Sequence, residues 1–327
     1  MTEVKWGMIG TGAVTEVKSG PGLYKAKNSK LVAVTGNDLE QVKDYAKRHN
    51  VENVFSNPEE LIESSLVNAI YIATPPKYHK YYALKSIEAK KDVYIEKPIA
   101  TTFEECLEIK EAAEKNNVKV FTAFYRRGME KFKKIKELVD LKKIGDIRYV
   151  DITLNQQIPI EIKNGENLPW RFKKDISGGG IFLDMGIHTI DILDYIIGPI
   201  KNIKSLVKNQ GGYYDVEDIV TTIMDFENGV IGIGKWCFST FEWKDEVIII
   251  GSEGKIEFSC FNNENVKLIT SQGTKEFVFD DLIHVQQPYI QEIVNELLNG
   301  KKHSGSLESS IRAQEISDEV LKEYNKK

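Results

Sequence analysis

Two side chains that could move a proton, Asp184 and His188, are four positions apart in a segment, Ile181 to Ile197, whose apolar spacing predicts a helix. At that spacing both side chains project from one helix face. A helix-start acid beside a packed histidine is the alternative interpretation. We favour an acid–base pair, because Asp191 continues a polar stripe that needs partners or a cleft on so apolar a helix. Imidazole also titrates near neutral pH.

One lysine, Lys97, stands directly after a short apolar run, in the sequence Glu96-Lys97-Pro98. Most lysines of this chain are expected on the solvated surface. Thr74 and Pro75 follow an earlier apolar run in the same way. Open parallel sheets bind ligands at the carboxyl ends of their strands. We therefore predict that Glu96, Lys97, Thr74 and Pro75 line a ligand site at one sheet edge.

A glycine turn follows the first apolar run, Val4 to Ile9, and opens a helical stretch. In this position glycines let the backbone approach a pyrophosphate. The residues concerned are Gly10, Gly12, Ala13 and Val14. An ordinary tight turn is the alternative, and Thr15 replaces the third glycine of the usual motif. The place of the turn, between first strand and first helix, predicts a dinucleotide site.

The end of the second strand bears on which dinucleotide binds. NAD-binding domains carry an acid there that accepts hydrogen bonds from the ribose 2′-hydroxyl. Here the position is occupied by Gly36, followed by Asn37, and Asp38 comes two residues late, where it could instead cap the next helix. The sequence therefore predicts NAD(P), with NADP favoured over NAD. Lys43 and Arg48 are candidate phosphate partners or a solvated helix face.

Short apolar runs alternate with helical patterns from Val4 to Phe124, which is typical of βα units on a parallel sheet. The fold predicted is α/β: a doubly wound Rossmann sheet in a domain over 1–124. The rhythm then changes to a helix and many strands, among them a hairpin at Asn228-Gly229. We predict that residues 125–327 form an α+β domain on a largely consecutive, mostly antiparallel sheet.

Composition excludes several classes of protein. Hydrophobic residues make up 41% and charged residues 28% of the 327 residues, as in globular proteins. A net charge of -5 without a basic stripe argues against nucleic acid. Three widely spaced cysteines suit neither a disulfide framework nor, with the histidines, a metal site. The chain shows no signal peptide or apolar stretch of about 20 residues, so we expect no membrane association and a cytoplasmic location.

Taken together, these motifs resemble the glucose-fructose oxidoreductase, inositol dehydrogenase and rhizopine-catabolism family (Gfo/Idh/MocA). The glycine turn, Glu96-Lys97-Pro98 and the run Gly-Gly-Gly-x-x-x-Asp-x-Gly-x-His carry the likeness, which spans essentially the whole chain. Tyr125-Arg126 and Trp170-Arg171 add to it. Thr15 and Gly128 depart from the family pattern, and Gly128 leaves the substrate side undetermined.

The resemblance implies hydride transfer between nicotinamide and a carbinol or carbonyl carbon of a small polyhydroxylated substrate. Lys97 then lies beside the nicotinamide and the reacting oxygen, Asp184 matches the motif's acid, and His188 matches its general acid/base. Asp184 would orient the imidazole or hold a substrate hydroxyl. The resemblance also implies that residues 125–327 bind substrate and that their sheet is open-faced and forms a homo-oligomer, a dimer or tetramer. Further substrate contacts are expected from Tyr125, Arg126, Trp170 and Arg171, although either arginine could instead form a structural ion pair.

Two other functions remain open at this point. One is an NAD-dependent glycosidase of the same fold, in which the cofactor is regenerated at each turnover. The other is a non-catalytic regulator that senses the dinucleotide. The presence of both Lys97 and His188 argues against the regulator, because a sensor needs no proton relay. His79, which follows a predicted strand, is interpreted as a helix-start residue rather than a cofactor contact.

Overall fold

The computed structural model describes residues 2–164 and 168–326, and its contacts divide the chain into two compact units. One unit comprises the residues up to Met129 together with Leu282–Ile311. The other comprises Glu130–Asp281 and the residues from Arg312 onward. The sequence alone placed everything after residue 124 in the second domain. Leu282–Ile311 groups with the first unit because the aromatic side chain of Tyr289 packs in the core of that unit, among Trp6, Tyr94 and Phe121.

Six parallel strands form the sheet of the first unit, in the order β3-β2-β1-β4-β5-β6. They are β1 Val4–Ile9, β2 Ser29–Thr35, β3 Asn53–Val54, β4 Ala69–Ile72, β5 Asp92–Ile95 and β6 Val120–Thr122. This is the doubly wound Rossmann order, which reverses between β1 and β4. The apolar runs between Val4 and Phe124 are confirmed as strands. The sequence missed β3, because its two residues are not buried and form no apolar run.

Helices connect these strands and continue into the second unit. The α-helices are α1 Ala13–Val17, α2 Gly20–Lys25, α3 Leu39–His49, α4 Pro58–Glu63, α5 His79–Glu88, α6 Phe103–Asn116, α7 Glu130–Asp140, α8 Ile160–Lys163, α9 Lys174–Ser177, α10 Ile187–Ile196, α11 Gln287–Asn299 and α12 Leu307–Asn325. Short 3-10 turns cover Pro76–Tyr78, Tyr125–Gly128 and Trp170–Phe172, and a π-helical turn covers Phe182–Gly186. The side chains of Asn57 and Thr102 cap α4 and α6.

Eight strands form the sheet of the second unit, in the order β14-β13-β12-β11-β7-β10-β9-β8. They are β7 Ile147–Gln157, β8 Ile200–Lys208, β9 Ile219–Phe226, β10 Ile231–Thr240, β11 Lys244–Gly251, β12 Gly254–Phe258, β13 Val266–Thr270 and β14 Gly273–Phe277. The mostly antiparallel sheet is confirmed. It is not fully consecutive, because β7 lies between β10 and β11 and pairs with β10 in parallel.

The two faces of this sheet differ in exposure. Along β9 the side chains of Val220, Thr222, Met224 and Phe226 are buried, and those between them are partly or fully exposed. This is the alternation that the sequence shows at these positions. The sequence missed β8, β13 and β14, because β8 and β13 each have a single buried residue and β14 has none, so no long apolar run marks them.

Within 2–164 and 168–326, no helix is both long enough and apolar enough to cross a membrane. In the same ranges, His, Cys, Asp and Glu side chains form no group of three or more that could hold a metal ion.

Candidate functional site

The glycine turn after β1 has a backbone that only glycine adopts without strain. Gly10 has a φ of +103°, and a Cβ there would lie 2.7 Å from the carbonyl oxygen of Ala73, after β4. The N–H of Gly10 donates to the carbonyl of Thr35 at 2.8 Å. A Cβ at Gly12 would meet nothing within 4 Å. The turn is therefore held between the ends of β2 and β4, with open space over Gly12.

Thr15, the departure from the glycine motif, is compatible with this turn. Its side chain is buried, and its hydroxyl donates to the carbonyl of Gly12 at 2.7 Å. The close packing comes five residues later, where a Cβ at Gly20 would collide with the carbonyl oxygen of Thr15 and the hydroxyl of Tyr45. Position 15 carries no glycine, but Gly20 permits a close approach of the backbone in this region.

Gly36 and Asn37 lie between β2 and α3, as the sequence predicts. The Asp38 carboxylate oxygen Oδ1 accepts from the N–H groups of Glu40 and Gln41, both at 3.1 Å. Asp38 is therefore the N-cap of α3, the second of the two roles open to it. A Cβ at Gly36 would lie 2.9 Å from a methyl of Val42, so a larger residue there would crowd α3.

The two cations of α3 are paired with acids on the surface. The Lys43 ammonium lies 2.8 Å from Glu40. Arg48 pairs with Asp44 at 2.7 Å and with Glu16 at 2.6 Å, and this guanidinium holds the pKa of Glu16 at about 2. Both cations therefore belong to ion pairs of the helix surface, which was the second interpretation of them.

The predicted ligand residues after β4 and β5 are joined by a histidine. Thr74 and Pro75 follow β4, and Lys97 follows β5 with a partly exposed side chain. The imidazole of His79 is fully buried, with Nδ1 2.8 Å from the carbonyl oxygen of Pro98 and Nε2 2.8 Å from that of Thr74. Burial lowers the pKa of this imidazole. His79 thus ties together the ends of two neighbouring strands.

His79 is the first residue of α5, so the interpretation as a helix-start residue is confirmed. The sequence missed its bridging role. A signal for its burial was present, because Ala83 and Ile87 follow at intervals of four residues and are also buried on that helix face.

Glu96, predicted to contact the cofactor, has a hydrogen-bond network inside the first unit. Its Oε1 accepts from the Tyr71 hydroxyl at 2.6 Å and from the Gln286 side-chain amide at 2.7 Å. The Tyr94 hydroxyl in turn donates to Gln286 at 2.7 Å. Burial and the Glu96 carboxylate raise the pKa of Tyr71 well above its usual range. The network gives Glu96 a structural role directly before Lys97.

In the second unit, three predicted substrate residues lie together. The Arg171 guanidinium stacks 4.7 Å from the centre of the Trp170 ring. Its Nε donates to the Asp184 carboxylate at 3.1 Å. Arg171 therefore forms the ion pair that was one of its two predicted roles. Both side chains of the pair are partly exposed, at 44% for Arg171 and 23% for Asp184, so each can still meet a ligand.

Asp184 and His188 are not on one uniform α-helix. Asp184 lies in the π-helical turn Phe182–Gly186, and His188 is the second residue of α10. A Cβ at Gly186 would collide with the Phe182 ring, which packs edge-on against Trp236 at 5.1 Å. Gly186 thus gives the Phe182 ring room within the wider turn. Such π turns are frequent at functional sites.

Tyr125 and Arg126 begin the 3-10 turn Tyr125–Gly128 of the first unit. The Arg126 guanidinium lies 4.9 Å from the centre of the Tyr125 ring, a cation–π distance. A Cβ at Gly128 would lie 2.8 Å from the backbone of Tyr289, which explains the glycine that departs from the family pattern. Packing against α11 therefore requires a glycine at this position.

The residues at the carboxyl edge of the parallel sheet fit a dinucleotide. The space over Gly12 is open, and a side chain at this position would fill it and obstruct the approach to the turn. Gly10, Gly12, Ala13 and Val14 would hold the pyrophosphate. Gly36 and Asn37 would meet the ribose. Thr74, Pro75 and Lys97 would flank the nicotinamide.

Comparisons with known proteins agree with this arrangement. Residues 4–124 match the oxidoreductase family with an NAD-binding Rossmann fold, GFO_IDH_MocA, and residues 132–257 match the GFO/IDH/MocA C-terminal domain. Oxidoreductase P35 of Formosa agariphila is 39% identical over 319 residues, which are 97% of this chain and 98% of that protein. Myo-inositol 2-dehydrogenase of Thermotoga maritima is 26% identical over 303 residues, 90% of this chain and 87% of that protein.

Among solved structures, levoglucosan dehydrogenase in complex with NADH and levoglucosan has the same fold. It superimposes with a TM-score of 0.88 at 21% identity, covering 99% of this chain and 98% of that one. The two family models together span most of the chain, and the resemblance stated from the motifs is confirmed. The chain therefore belongs to the Gfo/Idh/MocA family of nicotinamide-dependent oxidoreductases.

Proposed function

We propose that this dehydrogenase transfers a hydride between NAD(P) and a CH–OH carbon of a small polyhydroxylated substrate, such as a sugar or polyol. The observation that carries the proposal is the glycine turn with open space over Gly12, beside strand ends that His79 holds together. Relatives named for inositol and levoglucosan support the substrate class. The nicotinamide, when bound, supplies the hydride acceptor or donor.

In this proposal, side chains of the protein exchange the proton of the substrate hydroxyl and stabilise the charge that develops on its oxygen. His188 exchanges the hydroxyl proton, because imidazole can work in both directions near neutral pH. Lys97 donates a hydrogen bond to the same oxygen and stabilises its alkoxide character. Asp184, oriented by Arg171, orients the imidazole or holds a neighbouring substrate hydroxyl. Tyr125, Arg126 and Trp170 complete the proposed substrate contacts.

A screen of sugars, polyols and their keto forms, run separately with NAD and NADP, tests the reaction. Reduction or oxidation of the nicotinamide with one of these compounds is the expected result. Cleavage of a glycoside without net change in nicotinamide absorbance would identify the glycosidase instead. Dinucleotide binding without turnover of any compound would favour the regulator.

The preferred cofactor is expected to be NADP, with a Kd severalfold below that of NAD. Gly36 puts no carboxylate at the end of β2, and the Asp38 carboxylate is engaged as a helix cap. Isothermal calorimetry of both dinucleotides checks this. Asn37→Asp should weaken NADP binding more than NAD binding, because a carboxylate there would repel the 2′-phosphate.

Asp38→Asn is the matched control for this prediction, because asparagine caps a helix as well as aspartate does. If Asp38 only caps α3, the variant should leave NAD affinity unchanged. A wild-type Kd for NAD equal to or below that for NADP reverses the preference, and a loss of NAD affinity in Asp38→Asn would assign that carboxylate to the ribose.

The second unit is expected to form a homo-oligomer, a dimer or tetramer, through its open sheet face. Three isoleucines on that face, Ile223, Ile231 and Ile233, are 58%, 42% and 46% exposed. Ile223 pairs with Ile233 across β9 and β10, and Ile231 pairs with Tyr149 on β7. A row of exposed apolar side chains across three strands is typical of a face that another protein surface covers.

Light scattering at micromolar concentration should therefore give at least twice the chain mass for the wild type. Ile233→Lys should shift the protein toward monomer, because it buries a charge in the contact. Leu107→Lys, at an exposed apolar position on α6, is the control and should leave the mass unchanged. A monomeric wild type would refute this assembly.

We also propose a cytoplasmic location. In support, none of the three cysteines, all of which the structure describes, is in a disulfide.

A further inference from the structure

A buried glutamate, Glu217, lies against Gly180, the last of the three glycines that precede Asp184 in sequence. Only 2% of the residue is exposed. Its Oε1 accepts from the N–H of Phe182 at 3.1 Å, across 35 positions of sequence. A Cβ at Gly180 would lie 2.5 Å from each of its carboxylate oxygens. The carboxylate therefore sits directly on the backbone of Gly180, in space that any side chain there would occupy.

Phe182 begins the π-helical turn that runs into α10. The first N–H groups of a helical segment have no partner within the segment, so they need acceptors from elsewhere. Ile181, at the N-cap position, makes no side-chain capping hydrogen bond. The Glu217 carboxylate supplies the acceptor from a distant part of the chain, just before β9. It thereby fixes where the segment begins.

The same segment carries both proposed acid–base residues. Asp184 is two residues after Phe182, and His188 is six residues after it. The Phe182 ring is held in place by Trp236 of β10. With its backbone bound by Glu217 and its ring packed on the sheet, Phe182 has little freedom to shift. Any shift would be passed to Asp184 within one turn.

We propose that Glu217 is a positioning residue, whose carboxylate sets the start of the helical segment that presents Asp184 and His188, and that Gly180 is the residue that admits it. The catalytic part of this inference rests on the proposed function. Glu217 itself touches neither substrate nor cofactor in this scheme. A displacement of about 1 Å in a catalytic group can cost about 10²-fold in rate.

Three variants test the contact. Glu217→Gln keeps the size but puts an amide where a carboxylate accepted N–H groups. Gly180→Ala places a methyl in the space of the carboxylate. Glu217→Asp keeps the carboxyl group but moves it away from Gly180 and Phe182 by the length of one methylene. It replaces either of the other two variants if that variant fails to fold. Glu227→Gln, the same change at an exposed glutamate after β9, is the control.

We expect Glu217→Gln and Gly180→Ala each to lower kcat by about 10- to 100-fold. KM and dinucleotide Kd should change less than about threefold, and the double variant should be little worse than the poorer single one, because both act through one contact. Glu217→Asp should lose less. A purely structural role would lower the melting temperature and leave kcat of the folded enzyme unchanged, and that result would overturn the proposal.

Hydrogen exchange of residues 180–188, followed by mass spectrometry, gives a readout that does not need turnover. Exchange should quicken about tenfold in Glu217→Gln, while α7 keeps the wild-type rate. If the wild type turns over no sugar or polyol, the proposed function fails, and exchange alone decides the role of Glu217. Unchanged exchange over 180–188 in Glu217→Gln would overturn the positioning role whatever the activity.

Discussion

Replacing Lys97 or His188 by alanine is expected to lower kcat by about 10² to 10⁴, the usual range for acid–base catalysis. The reason is chemical: both groups are proposed to act on the oxygen where charge develops during hydride transfer. Cofactor affinity should change much less, because the glycine turn that would hold the pyrophosphate is intact in both variants. Steady-state kinetics with the substrate from the screen, together with calorimetry for the dinucleotide, check the two parts.

The double variant Lys97→Ala/His188→Ala sharpens this prediction. If the two groups share one transition state, it should be little worse than the less active single variant. Lys77→Ala, at an exposed lysine shortly after β4, is the control and should keep wild-type kcat. Independent, additive losses would assign the two residues to separate steps. A folded His188→Ala enzyme with near wild-type kcat would make the histidine structural, and Lys97 or Tyr125 would be tested next.

The stability advantage of the wild type over Glu217→Gln is expected to fall by about 2 to 3 kcal/mol between about pH 5 and about pH 8. Burial raises the pKa of Glu217 from 4.5 to about 7, against hydrogen bonds from its own N–H and those of Phe182 and Gly180 and the charge of Lys174. The folded protein therefore holds a proton through this window that the unfolded chain releases. Wild-type stability is lost as the pH rises toward 7, and the glutamine variant has no such loss.

The surroundings of Glu217 support assigning this pH dependence to it. The phenols of Tyr214 and Tyr324 interact electrostatically with Glu217. Burial raises the pKa of both phenols, so neither titrates between about pH 5 and about pH 8. Asp218 is the nearest other carboxylate in sequence, and it accepts from the N–H groups of Gln210 and Gly211. Denaturant unfolding at several pH values measures the difference. Glu227→Gln should follow the wild type at every pH, and a pH-independent difference for Glu217→Gln would contradict the prediction.

Much of the fold could be predicted because local signals and tertiary structure agree. All strands of the parallel sheet except β3 are largely buried, so they stand out as apolar runs between turn residues. Gly10 and Gly12 lie in the turn directly after β1, as their position indicates, and Asp38 caps α3. The strands β8, β13 and β14 were not predicted, because strands with few buried side chains leave only a weak pattern in the sequence.

Packing between distant segments was harder to foresee. The segment around α11 groups with the first unit because Tyr289 and Ile290 complete the core beneath β1 and β5. The strand β7 lies between β10 and β11, although a chain of consecutive hairpins would have paired those two. In both cases several pairings satisfy the same local pattern, and burial of the whole core selects one.

For the candidate site, the sequence by itself determined which residue types stand at the strand ends and on the helix: Gly10, Gly12, Lys97, Asp184 and His188. Their chemistry follows from side-chain type and from short-range spacing, which a sequence contains directly. The tertiary structure alone decided what holds them. His79 joins the ends of β4 and β5, and Glu217 caps Phe182 across 35 positions, because buried polar groups must find partners wherever the fold brings them close. No local pattern specifies such long-range pairs.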